Sequence, residues 1–238
     1  MTYSVTGFAY LILFFPLVYL IYRLFQYQKK GKDPASRQAL YIASLFGLFV
    51  IITAIGGLFF ADNYFILEKK VEVSAFIQAF AFAVMAYHII YLKFPKISPW
   101  LGFVPVFILG MVVAVLSVTM LQFSPSLEQS GAINWGFPSG SIAVFVSLLR
   151  LFLSLITFIP ITIIFFSQFK NSENTYLKGK SLGLGLTFLF VLIGASFDFL
   201  FIGLLNIDAI ARDIAFIVSS IILLITLIFT LPRLPSKI

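Results

Sequence analysis

The sequence predicts an all-α protein, a single seven-helix bundle built to span a membrane over residues 1–238, with its N-terminus outside and its C-terminus in the cytoplasm. Three observations carry this. Seven apolar stretches follow one another with short gaps: Gly7–Tyr27, Gln38–Phe60, Val71–Leu92, Pro99–Leu121, Ser141–Phe169, Ser181–Leu204 and Ile210–Leu231. Each is at least about 20 residues, enough to cross a hydrocarbon core about 30 Å thick at 1.5 Å per residue. The chain is 61% hydrophobic and only 11% charged, against roughly 25% charge in a soluble domain. Finally, the charges divide between alternate loops.

One side receives Arg23, Lys29, Lys30, Lys32 and Arg37, then Lys93, Lys96, Lys170, Lys178, Lys180, Arg233 and Lys237. Only Asp33 and Glu173 oppose these twelve cations. The other side receives Lys69, Lys70 and Arg212 against six acids: Asp62, Glu68, Glu72, Glu128, Asp208 and Asp213. Basic loops stay in the cytoplasm, which sets the orientation. A basic inner face meets anionic inner-leaflet lipids, so the net charge of +7 needs no nucleic acid to explain it. Met1–Thr6 carries no basic residue, so the first span is expected to stay in the protein as an anchor.

The elements follow in order. Asp33-Pro34 and Ser98-Pro99 are expected to cap and start the second and fourth helices, and Asn206 or Asp208 the seventh. Pro16, Pro105 and Pro160 fall inside spans, where bilayer helices tolerate them. The Glu68–Glu72 charges are expected to form a solvated cluster on an outer turn. The segment Gln122–Gly140, with Pro125, Gly131, Gly136 and Pro138, reads as an ordinary surface loop, with a lid over the outer mouth as the alternative.

Ionisable groups inside spans are costly and need a reason. Arg150 lies roughly 7 Å to the outer side of the fifth span's midpoint, and Asp198 roughly 8 Å to the outer side of the sixth's. A pair between them is expected, with Arg212 and Asp213 within reach of the same place. Ser147, Arg150, Ser154 and Thr157 share one helical face; Gly183, Thr187, Gly194 and Asp198 share another; Arg212, Ser219, Thr226 and Thr230 a third. Such stripes face a bundle interior or a polar cavity. The candidate ligand-contacting set is therefore Arg150, Asp198, Arg212, Ser154 and Thr187, in a cavity of the outer half, with a structural ion pair as the alternative. His88, near the inner end of the third span, is a candidate proton-sensing group or a packing residue.

Several chemistries find no support. No cysteine and one histidine exclude disulfides, thiolate metal sites and a multi-histidine metal or haem site within the chain. Phe137-Pro138-Ser139-Gly140-Ser141 resembles the Pro-Ser-Gly-His element of membrane lipid phosphatases, but Ser141 stands where the histidine belongs. Microbial rhodopsins resemble the chain in topology only, because Ile210–Leu231 has no lysine for a retinal Schiff base. No acid–base, nucleophilic or metal constellation is visible. The chain reads as non-enzymatic and without a cofactor.

The run Lys178-Gly179-Lys180-Ser181-Leu182-Gly183-Leu184-Gly185-Leu186 resembles the start of the sixth helix in the N-terminal seven-helix sensor module of bacterial and archaeal histidine kinases. Gly194 to Leu200, Asn134-Trp135 and the long fifth span fit that arrangement too. The resemblance implies a receptor-like protein of the cell membrane, sensing a small ligand or the membrane state. No kinase or cyclase sequence follows the last span, so the resemblance implies either a receptor that signals through a membrane or cytoplasmic partner, with an oligomer as a further expectation, or a module whose output domain is missing. Two alternatives stay open. One is a small-solute transporter built from two three-helix repeats around the fourth span, similar to sugar transporters of the sweet family. The other is a non-catalytic accessory subunit of a membrane complex.

Overall fold

The computed structural model describes residues 3–31, 34–138, 140–196 and 208–231. Seven helices appear in chain order: α1 Val5–Gly31, α2 Pro34–Phe59, α3 Tyr64–Lys93, α4 Trp100–Thr119, α5 Ser141–Asn171, α6 Thr175–Ser196 and α7 Ala209–Thr230. All seven are long and apolar enough to cross a membrane. One two-stranded hairpin, β1 Ser126–Leu127 and β2 Ile133–Asn134, lies between α4 and α5. Pro16, Pro105 and Pro160 are inside helices, as expected.

The helix starts depart from expectation for local reasons. α3 begins at Tyr64 rather than Val71, because the Asn63 side chain accepts the Ile66 amide at 3.1 Å and caps a turn that the hydrophobic pattern does not mark. The Glu68–Glu72 charges are thereby helical. Lys69 and Glu72 pair at 2.7 Å on the exposed face, but Lys70 is only 9% exposed, so the expected solvated cluster is corrected for that residue. α6 begins at Thr175, where the Asn174 carboxamide oxygen accepts the Tyr176 and Leu177 amides. Pro99 and Asp208 occupy the N-cap positions of α4 and α7 without a side-chain cap bond, which corrects the expected Ser98 cap. Asp33 and Asn206 lie outside the described residues.

Helix neighbours form a closed ring in the order α1, α2, α3, α5, α6, α7 and back to α1, with α4 outside it against α3 and α5. α4 buries only a narrow strip, Gly110, Val113, Ala114 and Ser117, and Gly110 sits against Ala79 of α3. A single small-residue seam suffices to attach a peripheral helix.

The N-terminal ends of α1, α3, α5 and α7 and the C-terminal ends of α2 and α4 meet at the hairpin. There α1 and α2 touch backbone to backbone. A Cβ on Gly7 would lie 2.6 Å from the Gly57 carbonyl carbon, and one on Gly57 would lie 2.7 Å from Gly7 Cα. Ser4 Oγ donates to the Gly57 carbonyl at 2.8 Å and accepts the Gly7 amide at 3.0 Å.

The segment between α4 and α5 is a plug rather than an ordinary surface loop. Ala132 and Ile133 are fully buried, Trp135 is 4% exposed, and Ile133 and Trp135 pack on Ala61 and Leu67. Leu127 pairs with Ile133 in an antiparallel register. Gly136 follows at φ +59°, and a Cβ there would collide with the Ser124 backbone. We expect Gly136→Ala to loosen the plug. Protease cleavage between Gln122 and Phe137 should accelerate in that variant and stay slow in Gly56→Ala, whose Cβ would make only ordinary contacts, 3.7 Å from Leu67 and 3.8 Å from Lys70.

Candidate anion-binding chamber

Polar and charged groups from several elements converge beneath the plug. Lys70, Ser74 and Gln78 recur every fourth residue and so share one face of α3. Arg150 comes from α5, Tyr10 from α1, Phe49 from α2 and Trp135 from the hairpin. Together they line a chamber of about 50 Å³. Ser74 is ten residues into α3 and Arg150 nine residues into α5, so both lie about 14–15 Å below their helix starts.

Arg150 is 7% exposed. One of its terminal nitrogens donates to Ser117 Oγ at 2.5 Å. That hydroxyl donates onward to the Val113 carbonyl at 2.6 Å. Among the described residues no carboxylate lies within 4 Å of this guanidinium; the ion pairs found there are Lys69–Glu72 and Arg212–Asp213. Ser74 Oγ is buried and makes no hydrogen bond among the described residues. An unmatched hydroxyl and a guanidinium held by one neutral oxygen are both costly in a dry interior.

Lys70 rests on aromatic faces. Its ammonium is 3.9 Å from the Trp135 ring centroid, 5.4 Å from that of Phe49 and 5.9 Å from that of Tyr10. Such contacts stabilise a cation by about 0.5–2 kcal/mol, more when water is excluded.

Arg212 is nearby but plays a different part. It is 1% exposed and Asp213 is fully buried. Arg212 Nε donates to Asp213 Oδ1 at 2.8 Å, and a terminal nitrogen donates to the Ile133 carbonyl at 2.9 Å and to Thr6 Oγ1 at 3.2 Å. Thr6 Oγ1 donates to Asp213 Oδ2 and accepts the Ile133 amide. This knot ties α1, α7 and the hairpin together. It meets the chamber through Trp135, whose ring centroid is 5.9 Å from the Arg212 guanidinium carbon.

The remaining expected site residues are dispersed. Asp198 lies outside the described residues, and so does the pair expected of it. Ser154 Oγ donates to the Arg150 carbonyl at 3.0 Å and Thr187 Oγ1 to the Gly183 carbonyl at 2.8 Å. Both hydroxyls are thus taken up by their own helix backbone, and neither residue lines the chamber. His88 is fully buried, with its ring centroid 6.2 Å from that of Phe165. It sits fourteen residues along α3 from Ser74, roughly 21 Å. The Lys70–Ser74–Gln78 spacing is visible in the sequence, but the acids flanking Lys70 disguise it as part of a surface cluster.

Below the chamber, and sharing Tyr10, Phe49 and Gln78 with it, is a central cavity of about 110 Å³. Every ring helix contributes to its wall and α4 does not: Leu17, Phe46, Phe82, Phe158, Val191 and Leu223 are representative. Comparison with protein-family models, curated proteins and solved structures finds no match.

Proposed function

We propose that this is a multi-pass membrane protein, receptor-like, that binds a small anionic ligand in the chamber beneath the hairpin. Its outward-facing surface supports the membrane setting. Phe65, Leu101 and Phe229 are 67%, 67% and 84% exposed, an apolar exterior suited to lipid rather than water. The bias of basic residues toward the opposite loops supports an orientation with the hairpin end outside and the C-terminus in the cytoplasm.

The observation that carries the reading is Arg150, buried without a carboxylate within 4 Å among the described residues and sharing its chamber with the unmatched Ser74 hydroxyl. An anion between them would satisfy both. It would also draw Lys70 from the Trp135 face. Trp135 moves with the hairpin, and the hairpin is tied to α7 through Arg212. At the opposite end the α7 terminus accepts a bond from Arg23 of α1, at 3.4 Å from the Leu231 carbonyl, and Lys180 of α6 donates to Ser36 of α2 at 2.6 Å. A shift of α7 would therefore reach the basic loops, where a partner could read it.

Arg150→Met keeps the side-chain length and removes the charge. Carboxylate binding should weaken by at least about tenfold, the value of one charge-assisted hydrogen bond. Thermal stability should hold or rise, because a buried cation has been replaced by an apolar chain. Trp100→Phe leaves Trp135 as the remaining tryptophan of the two and makes its emission the readout in nanodiscs. Unchanged anion affinity in Arg150→Met would sink the reading. Saturable flux of the bound anion in liposomes would convert it to the transporter alternative.

A further inference from the structure

We infer that the ligand is a single-chain carboxylate amphiphile, with its head in the chamber and its tail in the central cavity; this rests on the anion-binding reading above. The two spaces are joined through shared walls. Tyr10, Phe49 and Gln78 line both, so a molecule held at Arg150 abuts the central cavity directly.

The chemistry changes sharply across that junction. Above it stand Arg150, Lys70 and Ser74; below it the wall is apolar apart from Gln78, Ser219 and Tyr10. A ligand filling both spaces is therefore anionic at one end and apolar over the rest. Size narrows it further. The chamber's 50 Å³ has room for a few waters, each needing at least about 10–15 Å³ of such space. A carboxylate, with two oxygens for the two donors, matches that space. The lower cavity of about 110 Å³ is walled by side chains of all six ring helices, so a tail there lies inside the bundle. Phe158 on the wall lies eight residues beyond Arg150 on α5, about 12 Å deeper, which suits a chain of medium length.

The carboxylate oxygens would accept from Arg150 and from Ser74 Oγ, and the Gln78 carboxamide can donate at the junction. Ser74 then acquires the hydrogen bond that it lacks among the described residues.

The test uses Trp135 emission in the Trp100→Phe protein, in phosphatidylcholine nanodiscs with empty discs subtracted. Dodecanoate, dodecanol and butyrate are titrated. Dodecanoate should saturate. Butyrate should bind more than about 100-fold more weakly, since each buried methylene is worth about fourfold. Dodecanol should bind at least about tenfold more weakly for want of the charge. Ser219→Phe, or Leu13→Phe should the first variant fail to fold, fills the central cavity. Either should erase the advantage of dodecanoate over butyrate while butyrate still binds. Equal affinity for butyrate and dodecanoate, untouched by the filling variants, overturns the tail assignment and leaves the anion site standing. Equal affinity for dodecanol and dodecanoate, or no response to any carboxylate, overturns both.

Discussion

Arg212→Ala should destabilise the protein by about 3–5 kcal/mol, the cost of leaving one member of a buried ion pair without its partner. Asp213 is fully buried and would keep, of the contacts described here, only the Thr6 hydroxyl. The Ile133 carbonyl would lose its donor as well. The damage should be specific in kind. Replacing both charges with apolar groups of similar volume, Arg212→Met with Asp213→Leu, should recover much of the loss, because the desolvation penalty disappears with the pair. Thermal unfolding in a mild detergent measures all three proteins. If the double variant is no better than Arg212→Ala, the pair is not the reason for the loss. The hairpin should also become protease-sensitive in Arg212→Ala, since the guanidinium anchors it to α7.

The second large effect is expected at the crossing of α1 and α2. Gly57→Val would place branched carbon where Gly7 Cα stands 2.7 Å from a bare Cβ. The two nearest atoms are both Gly7 backbone, with Ser4 Oγ at 3.0 Å, so the two backbones must separate and the Ser4 bonds to Gly57 and Gly7 must stretch. A cost of about 1–3 kcal/mol for overpacking, with about 1 kcal/mol more for each hydrogen bond lost, is expected. Gly47→Ala on the same helix is the control. Its Cβ would meet the flexible end of Ile21 at 3.2 Å, which can move aside, so its melting temperature should stay close to wild type. Gly57→Val should also weaken anion binding, because α1 carries both Tyr10 of the chamber and Thr6 of the knot. Equal melting temperatures for the two variants would mean that the close approach at Gly7 is not tight.

Seven helices were legible in the chain because periodic structure and apolar composition are local properties. A run of some twenty apolar residues satisfies its own backbone only as a helix or within a closed barrel, and nothing distant is needed to decide it. Arg150 was legible for the same reason: an arginine amid Leu148, Leu149, Leu151 and Phe152 is an exception wherever it falls. What it faces was not legible. Matching depth on consecutive antiparallel helices points to Asp198, which lies outside the described residues, and depth leaves the rotation of each helix undetermined. Ser154 and Thr187 share faces with the right neighbours, yet a hydroxyl on a helix can turn back to its own carbonyl one turn earlier, and both do. Lys70 departs from the expected cluster because its neighbour Lys69 is exposed and Glu68 and Glu72 are half-buried, whereas Lys70 turns inward.

The sequence by itself determined the helix count, the polarity of the loops and the presence of a costly cation within the fifth helix, since each depends on runs of residues adjacent in the chain. Only the tertiary structure decided that α4 stands outside the ring, that the 122–138 segment plugs its mouth, and that Lys70, Ser74, Arg150 and Trp135 share one chamber. Those outcomes depend on which helical faces turn toward each other. Pair contacts such as Gly7 with Gly57 and Thr6 with Asp213, distant in the chain, settle that turning, and no local pattern encodes them.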